Sequence, residues 1–299
     1  MRPIKGVIPV LITPLDPNGD IDKKNLENLV LHLISKDIGG LWVLGTGSED
    51  MNLTFSKRLE VAETVTNVNR NKVPILLGCS FFSFEETLKF IESTKHLKFN
   101  AYHYMPYHNL LSLDRVEWIY KKLADICPKP LWMYTSANWG KFIPPQFISR
   151  LSNHPNISGI KFSTSNSVHI EQVLSMANND FQVITAVVKQ FFSSLAMGAK
   201  AGTTVEACPH IEPILAIYNK FFQGDYVGSL SIQKSLNRFL EKLPKEPGND
   251  NFLKVAEIKY ILSKSDLCKE FVSGYYRHLT KAEKCQIDKA LEDFTWKNF

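Results

Sequence analysis

Eight short apolar runs, rich in β-branched and aromatic residues, recur along the 299-residue chain at spacings that leave room for one helix between each pair. They are GVIPVLITP (6–14), GLWVLG (40–45), VPILLGC (73–79), AYHYMP (101–106), PLWMYTS (130–136), ISGIKFS (157–163), FQVITA (181–186) and AGTTVEA (201–207). The segments between them, among them KKNLENLVLHLISK, FEETLKFIESTKHL, DRVEWIYKKLADI and VHIEQVLSMAN, place apolar residues at i, i+3, i+4 and i+7. Strands alternating with helices imply crossover connections and a parallel sheet. Eight such units match a closed (β/α)8 barrel in count and size. An open doubly wound sheet is the competing α/β architecture, but no GxGxxG follows the first strand and no GxxxxGK[ST] occurs anywhere.

From residue 225 onward the strand-like runs stop. Three helical patterns follow, YVGSLSIQKSLNRFLEKL, NFLKVAEIKYILSKS and TKAEKCQIDKALEDF, with Pro247-Gly248 breaking the chain after the first. The expected organisation is a barrel over residues 1–224 and a helical extension over residues 225–299.

The net charge of +5 is spread along the chain, which argues against a nucleic-acid-binding surface. Five cysteines form neither a CxxC pair nor a zinc-spaced cluster with histidine, so no metal site is expected and reduced thiols in a cytoplasm fit the count. The apolar run near the amino terminus is short and interrupted by Pro9. No later run is long enough to span a bilayer.

In a barrel of this kind the chemistry gathers at the carboxyl ends of the strands. That rule brings GTGSED (45–50), PYHN (106–109), YTSANWG (134–140), Lys161 and AVVK (186–189) to one rim. Lys161 is the unusual member, a lysine inside a strand. Either its stem snorkels to a partner, or burial lowers its pKa and frees the amine to attack a carbonyl.

Taken in order, the opening GVIPVLITPLDPNGDID, the loop GTGSEDMNLTFSKR, the strand PLWMYTS, the GIK strand, the GAKAGTTVEA segment and YYRHLTKAEK resemble the dihydrodipicolinate synthase / N-acetylneuraminate lyase family of lysine-dependent pyruvate aldolases. The resemblance implies that Lys161 forms an imine with a 2-oxo acid and that Tyr134 is the general acid/base. It implies that Thr46 relays protons to the tyrosine and that the GTGSE turn, with Gly47 and Ser48, binds the substrate carboxylate. Thr204 joins the substrate-binding residues. No cofactor is implied, because the protonated imine is itself the electron sink.

Four segments depart from the family pattern. The usual G-[TS]-T-G-E loop is G-T-G-S-E here, which leaves Ser48 to supply a hydroxyl that Gly47 lacks. The second tyrosine of the synthases, which reaches across a dimer interface, is replaced by His108, so that a relay through His108 implies a homodimer or homotetramer. The arginine that synthases use for a second carboxylate has no counterpart in ANWG, which offers Asn138 and Trp139, and the acidic pair of the sialic acid lyases is Val188-Lys189. Trp139 and Lys189 are thus the candidates for the distal end of the substrate. The expected activity joins or separates pyruvate and an aldehyde, with a 2-keto-3-deoxy sugar acid or a sialic-acid-like 2-oxo acid as substrate. Dihydrodipicolinate synthesis and a non-catalytic 2-oxo-acid-binding role are the alternatives.

Overall fold

The computed structural model describes residues 3–136, 139–245 and 251–294. Asn138 and the Pro247-Gly248 break lie outside them. Eight strands alternate with eight helices. The strands are β1 (Gly6–Pro9), β2 (Leu41–Val43), β3 (Ile75–Gly78), β4 (Ala101–Tyr104), β5 (Leu131–Ser136), β6 (Ile157–Ser163), β7 (Gln182–Thr185) and β8 (Ala201–Thr204). The helices are α1 (Lys23–Ile34), α2 (Phe55–Asn69), α3 (Phe84–Thr94), α4 (Leu113–Ile126), α5 (Pro145–Leu151), α6 (Ser167–Leu174), α7 (Phe191–Ala196) and α8 (Ile211–Phe222). Three more follow: α9 (Tyr226–Lys242), α10 (Asn251–Ser263) and α11 (Lys281–Glu292).

All strand pairs are parallel, β2 through β8 in chain order with β8 beside β1. A bridge between Val10 and Trp42, with the Leu11 N–H donating to the Trp42 carbonyl at 2.9 Å, brings β1 against β2 and closes the (β/α)8 barrel. Short polar side chains start the helices. Ser83, Ser112 and Asn166 accept backbone N–H groups in the first turns of α3, α4 and α6, and Thr280 with Glu283 forms a reciprocal cap on α11.

The two-residue period of each strand divides the core into two layers. Val7, Leu41, Val43, Leu77, Met133, Ile160 and Val183 pack outward against the helices. Ile8, Trp42, Leu76, Trp132, Tyr134 and Ile184 fill the barrel interior. Lys161 shares the phase of this second set: between outward Ile160 and Phe162, it stands in register with Tyr134 on one side and Ile184 on the other. Two residues earlier on the same face, Gly159 makes room for the Trp132 ring, which a β-carbon would meet at 2.8 Å. A large indole below and a lysine above therefore occupy one column of the interior.

The segment after α9 covers the carboxyl ends of the strands. Lys259 on α10 forms an ion pair with Glu49 in which neither side chain is exposed, and Glu49 also accepts the Ser273 N–H at 2.7 Å. Asn52 donates to the Ser273 hydroxyl at 2.9 Å. Among the described residues no helix is long and apolar enough to cross a membrane.

Candidate active site

A cavity of ≈ 180 Å³ opens at the carboxyl end of the barrel, with Lys161 in its wall. The lysine is 5 % exposed. Its ammonium nitrogen lies 4.3 Å from the centre of the Tyr134 ring and 4.8 Å from that of Trp42. Burial lowers its pKa to about 7, against the opposing pull of Asp50 and Glu206. At neutral pH a large share of the amine is thus unprotonated and nucleophilic.

The Tyr134 hydroxyl shares a hydrogen bond of 3.0 Å with the Thr46 hydroxyl. Burial holds the phenol above its usual range, with the Thr46 hydrogen bond acting in the other direction. The phenol is accordingly neutral at neutral pH and has a proton to give. Its position follows from β5, where an outward Met133 and an inward Tyr134 obey the strand period.

Thr46, Gly47, Tyr134, Trp139, Lys161 and Thr204 all border this cavity. Ser48, His108 and Lys189 do not. The Ser48 hydroxyl donates to the Leu11 carbonyl at 2.6 Å and accepts the Gly45 N–H at 3.2 Å, fastening the loop to the segment after β1. The expectation that it supplies the hydroxyl missing at Gly47 finds no support in this geometry. A β-carbon on Gly47 would lie 3.0 Å and 3.2 Å from side-chain atoms of Val205, so the bulk of Val205 replaces what a larger residue would occupy there. Lys189 is exposed on a short turn, where its carbonyl accepts the Asn237 amide at 3.0 Å. His108 is exposed beside the Phe82 ring, with a centroid separation of 6.5 Å.

Several residues of the site escape a reading by local pattern. Tyr107 turns inward and donates a 2.5 Å hydrogen bond to Asp50, which is fully buried 3.9 Å from Arg58. Burial raises the Asp50 carboxyl above its usual range despite the Arg58 charge. Ser136, Ser163, Thr203, Glu206 and Lys254 also line the cavity. Glu206 falls within the rim segment at the end of β8 and so was open to the same rule that found Lys161. Lys254 comes from α10, and nothing in its local sequence marks it.

The fold and the site together define a (β/α)8 protein with a buried lysine in register with a hydroxyl-linked tyrosine. The sequence profile of the dihydrodipicolinate synthetase family matches residues 3–293, and the chain belongs to that family. It is 25 % identical over 236 residues to a 4-hydroxy-tetrahydrodipicolinate synthase from Methanosphaerula palustris, covering 78 % of this chain and 81 % of that one. It is 24 % identical over 250 residues to an Escherichia coli K12 protein named as a probable 2-dehydro-3-deoxy-D-pentonate aldolase, covering 82 % of each. The solved dihydrodipicolinate synthase from Bacteroides thetaiotaomicron superposes with a TM-score of 0.90 at 24 % identity, over 98 % of this chain and 99 % of that one.

Proposed function

We propose that the protein is a class I aldolase that makes or breaks a carbon–carbon bond between pyruvate and an aldehyde through an imine on Lys161. The observation that carries this reading is the buried Lys161 amine, with its pKa at about 7, in register with Tyr134 at the wall of one cavity. In the cleavage direction the neutral amine adds to the keto carbon of the 2-oxo acid, and loss of water gives a protonated imine. Tyr134, left as the phenolate after giving its proton to the hydroxide that departs as water, takes the proton of the C4 hydroxyl, the C3–C4 bond breaks, and its electron pair flows into the imine to give an enamine as the aldehyde departs. Protonation at C3 and addition of water then release pyruvate and restore the lysine. The Thr46 hydroxyl is the first station for protons moving to and from Tyr134.

The pyruvate carboxylate is assigned to the turn of Thr46 and Gly47, which borders the same cavity as Lys161. The substrate class we favour is a 2-keto-3-deoxy sugar acid. No arginine borders the cavity among the described residues, which weakens the case for a second carboxylate, and one relative is named as a probable aldolase of this substrate class. We further assign a proton-relay role to His108 within a homodimer or homotetramer, on the ground that it is exposed near the rim beside the exposed Phe82. Five unpaired cysteines support a reducing, cytoplasmic location.

The test needs no knowledge of the aldehyde. Pyruvate incubated with the protein in deuterium oxide exchanges its methyl protons if the enamine forms, and NMR follows their loss. Exchange by the wild type and none by Lys161→Ala is the expected result. Binding of pyruvate without exchange by the wild type would refute the proposal.

A further inference from the structure

The cavity that Lys161 lines is also bordered by residues at the end of β8 and on α10, which bring to it a pair of opposite charges. The Glu206 carboxylate accepts the Thr204 hydroxyl and stands 3.4 Å from the Lys254 ammonium. Ser136, Ser163 and Thr203 add hydroxyls around the same space, and the Thr203 hydroxyl is buried without a partner among the described residues.

We propose that Glu206 and Lys254 bind the hydroxyl groups of the aldehyde half of the substrate and so select a polyhydroxylated chain. This rests on the aldolase reading above. A carboxylate only accepts hydrogen bonds and an ammonium only donates them, whereas a hydroxyl does both. Two neighbouring hydroxyls on a carbon chain are therefore complementary to a carboxylate and an ammonium standing side by side. Although burial pushes the Glu206 carboxyl up, Lys254 and Thr204 outweigh it and hold the group below its usual range, so it is ionised at neutral pH.

The same pair disfavours the two other kinds of aldehyde. Among the described residues the only cations bordering the cavity are Lys161 and Lys254. The first is bound into the pyruvate half, where its nitrogen is neutral in the enamine that meets the aldehyde, and the second is neutralised by Glu206. A carboxylate on the aldehyde would meet no net positive charge there and would face the Glu206 carboxylate. An alkyl chain would strip water from both charges and replace none of its hydrogen bonds.

A purely mechanical role, fastening α10 over the barrel, accounts less well for the pair. Glu49 and Lys259 already make that fastening with neither side chain exposed. Glu206 and Lys254 instead keep 13 % and 28 % of their side chains exposed and border the cavity.

The test compares kcat/KM for condensation of pyruvate with glyceraldehyde, propanal and succinic semialdehyde, in the wild type, Glu206→Ala and Glu206→Gln. Assays at pH 8 keep the Lys161 amine mainly neutral, its pKa being about 7. The wild type should prefer glyceraldehyde to propanal by about tenfold or more, the worth of a hydrogen bond to a charged group, and use succinic semialdehyde least. Glu206→Ala should bring the glyceraldehyde-to-propanal ratio close to one, with the loss in the KM for the aldehyde rather than for pyruvate. Glu206→Gln keeps the shape and one acceptor, so it should give an intermediate ratio even where the alanine variant fails to fold. The proposal is overturned by a wild type that uses propanal or succinic semialdehyde as well as glyceraldehyde, or that exchanges pyruvate protons yet turns over none of them. A folded Glu206 variant with the wild-type ratio overturns it too. Absence of pyruvate proton exchange in the wild type brings down the aldolase reading itself, so the two failures are separable.

Discussion

Replacing the lysine at the centre of the site should make the protein more stable, and by an amount that depends on pH in a defined way. Lys161 is 5 % exposed, and burial moves its pKa from 10.5 to about 7. Between these values the unfolded chain carries a proton that the folded chain sheds, so wild-type stability rises with pH across that window. Below it both states are protonated, and folding bears the full cost of burying the ammonium. Since each tenfold change in proton affinity is worth about 1.36 kcal/mol, that cost is about 5 kcal/mol at pH 5, about 4 kcal/mol at pH 7, and close to nothing above about pH 11. Lys161→Met keeps most of the length of the side chain without the charge. It should therefore gain about 4 kcal/mol at pH 7, equivalent to about 6 °C in Tm for a chain of this length, and the gain should shrink steadily toward pH 10. Urea titrations of both proteins at unit steps from pH 5 to 10 measure the difference, in which all other titrating groups cancel to first order. Methionine also adds some apolar burial, which offsets the curves without bending them. A difference that stays flat between pH 7 and 10 would show that the amine is not penalised by burial, and the argument for a neutral nucleophile would fail.

In the proposed mechanism the same pKa governs turnover. Because the unprotonated amine attacks the carbonyl, kcat/KM for the 2-oxo acid should rise with pH through about 7, and a pH–rate profile without an inflection near that value would contradict the assignment. Tyr134→Phe should lower kcat by about a hundredfold or more while costing only about 1 kcal/mol of stability, since one hydrogen bond to Thr46 is lost. Steady-state kinetics beside a denaturation curve would expose a merely structural tyrosine, whose loss would move stability more than rate. Breaking the buried Glu49–Lys259 pair by Lys259→Met should destabilise the protein by about 3 to 5 kcal/mol, and adding Glu49→Leu should recover much of that loss. Equal stability of the single and double variants would show that the uncompensated Glu49 charge is not the cause.

The barrel was legible in the chain because its strands are short β-branched runs whose two-residue period survives in the folded protein, from Leu41-Trp42-Val43 to Ile160-Lys161-Phe162. That period also put Lys161 and Tyr134 on the inner face of adjacent strands, so the placement of these two candidate residues was legible, whereas their roles came from the family resemblance. Helix α2 is less plain in the sequence, because buried polar residues interrupt its apolar stripe. Arg58 reaches the Ser80 carbonyl, and Thr66 bonds back to the Ala62 carbonyl at 2.8 Å. The rim was harder to read, since side-chain direction there depends on contacts far away in the chain. Ser48 is captured by Leu11, and Tyr107 rather than its neighbour His108 turns inward, drawn by Asp50. Lys254 reaches the site only because α10 folds back over the barrel, and no local pattern encodes that.

The central claim is that Lys161 forms an imine with pyruvate, and reductive trapping tests it most directly. The protein is incubated with pyruvate and sodium borohydride, with Lys161→Met treated alongside, and intact and peptide masses are measured. The account predicts one reduced pyruvyl group on the wild type, located at Lys161, and none on the variant. A wild type that remains unmodified, or an adduct carried equally by the variant, would contradict it.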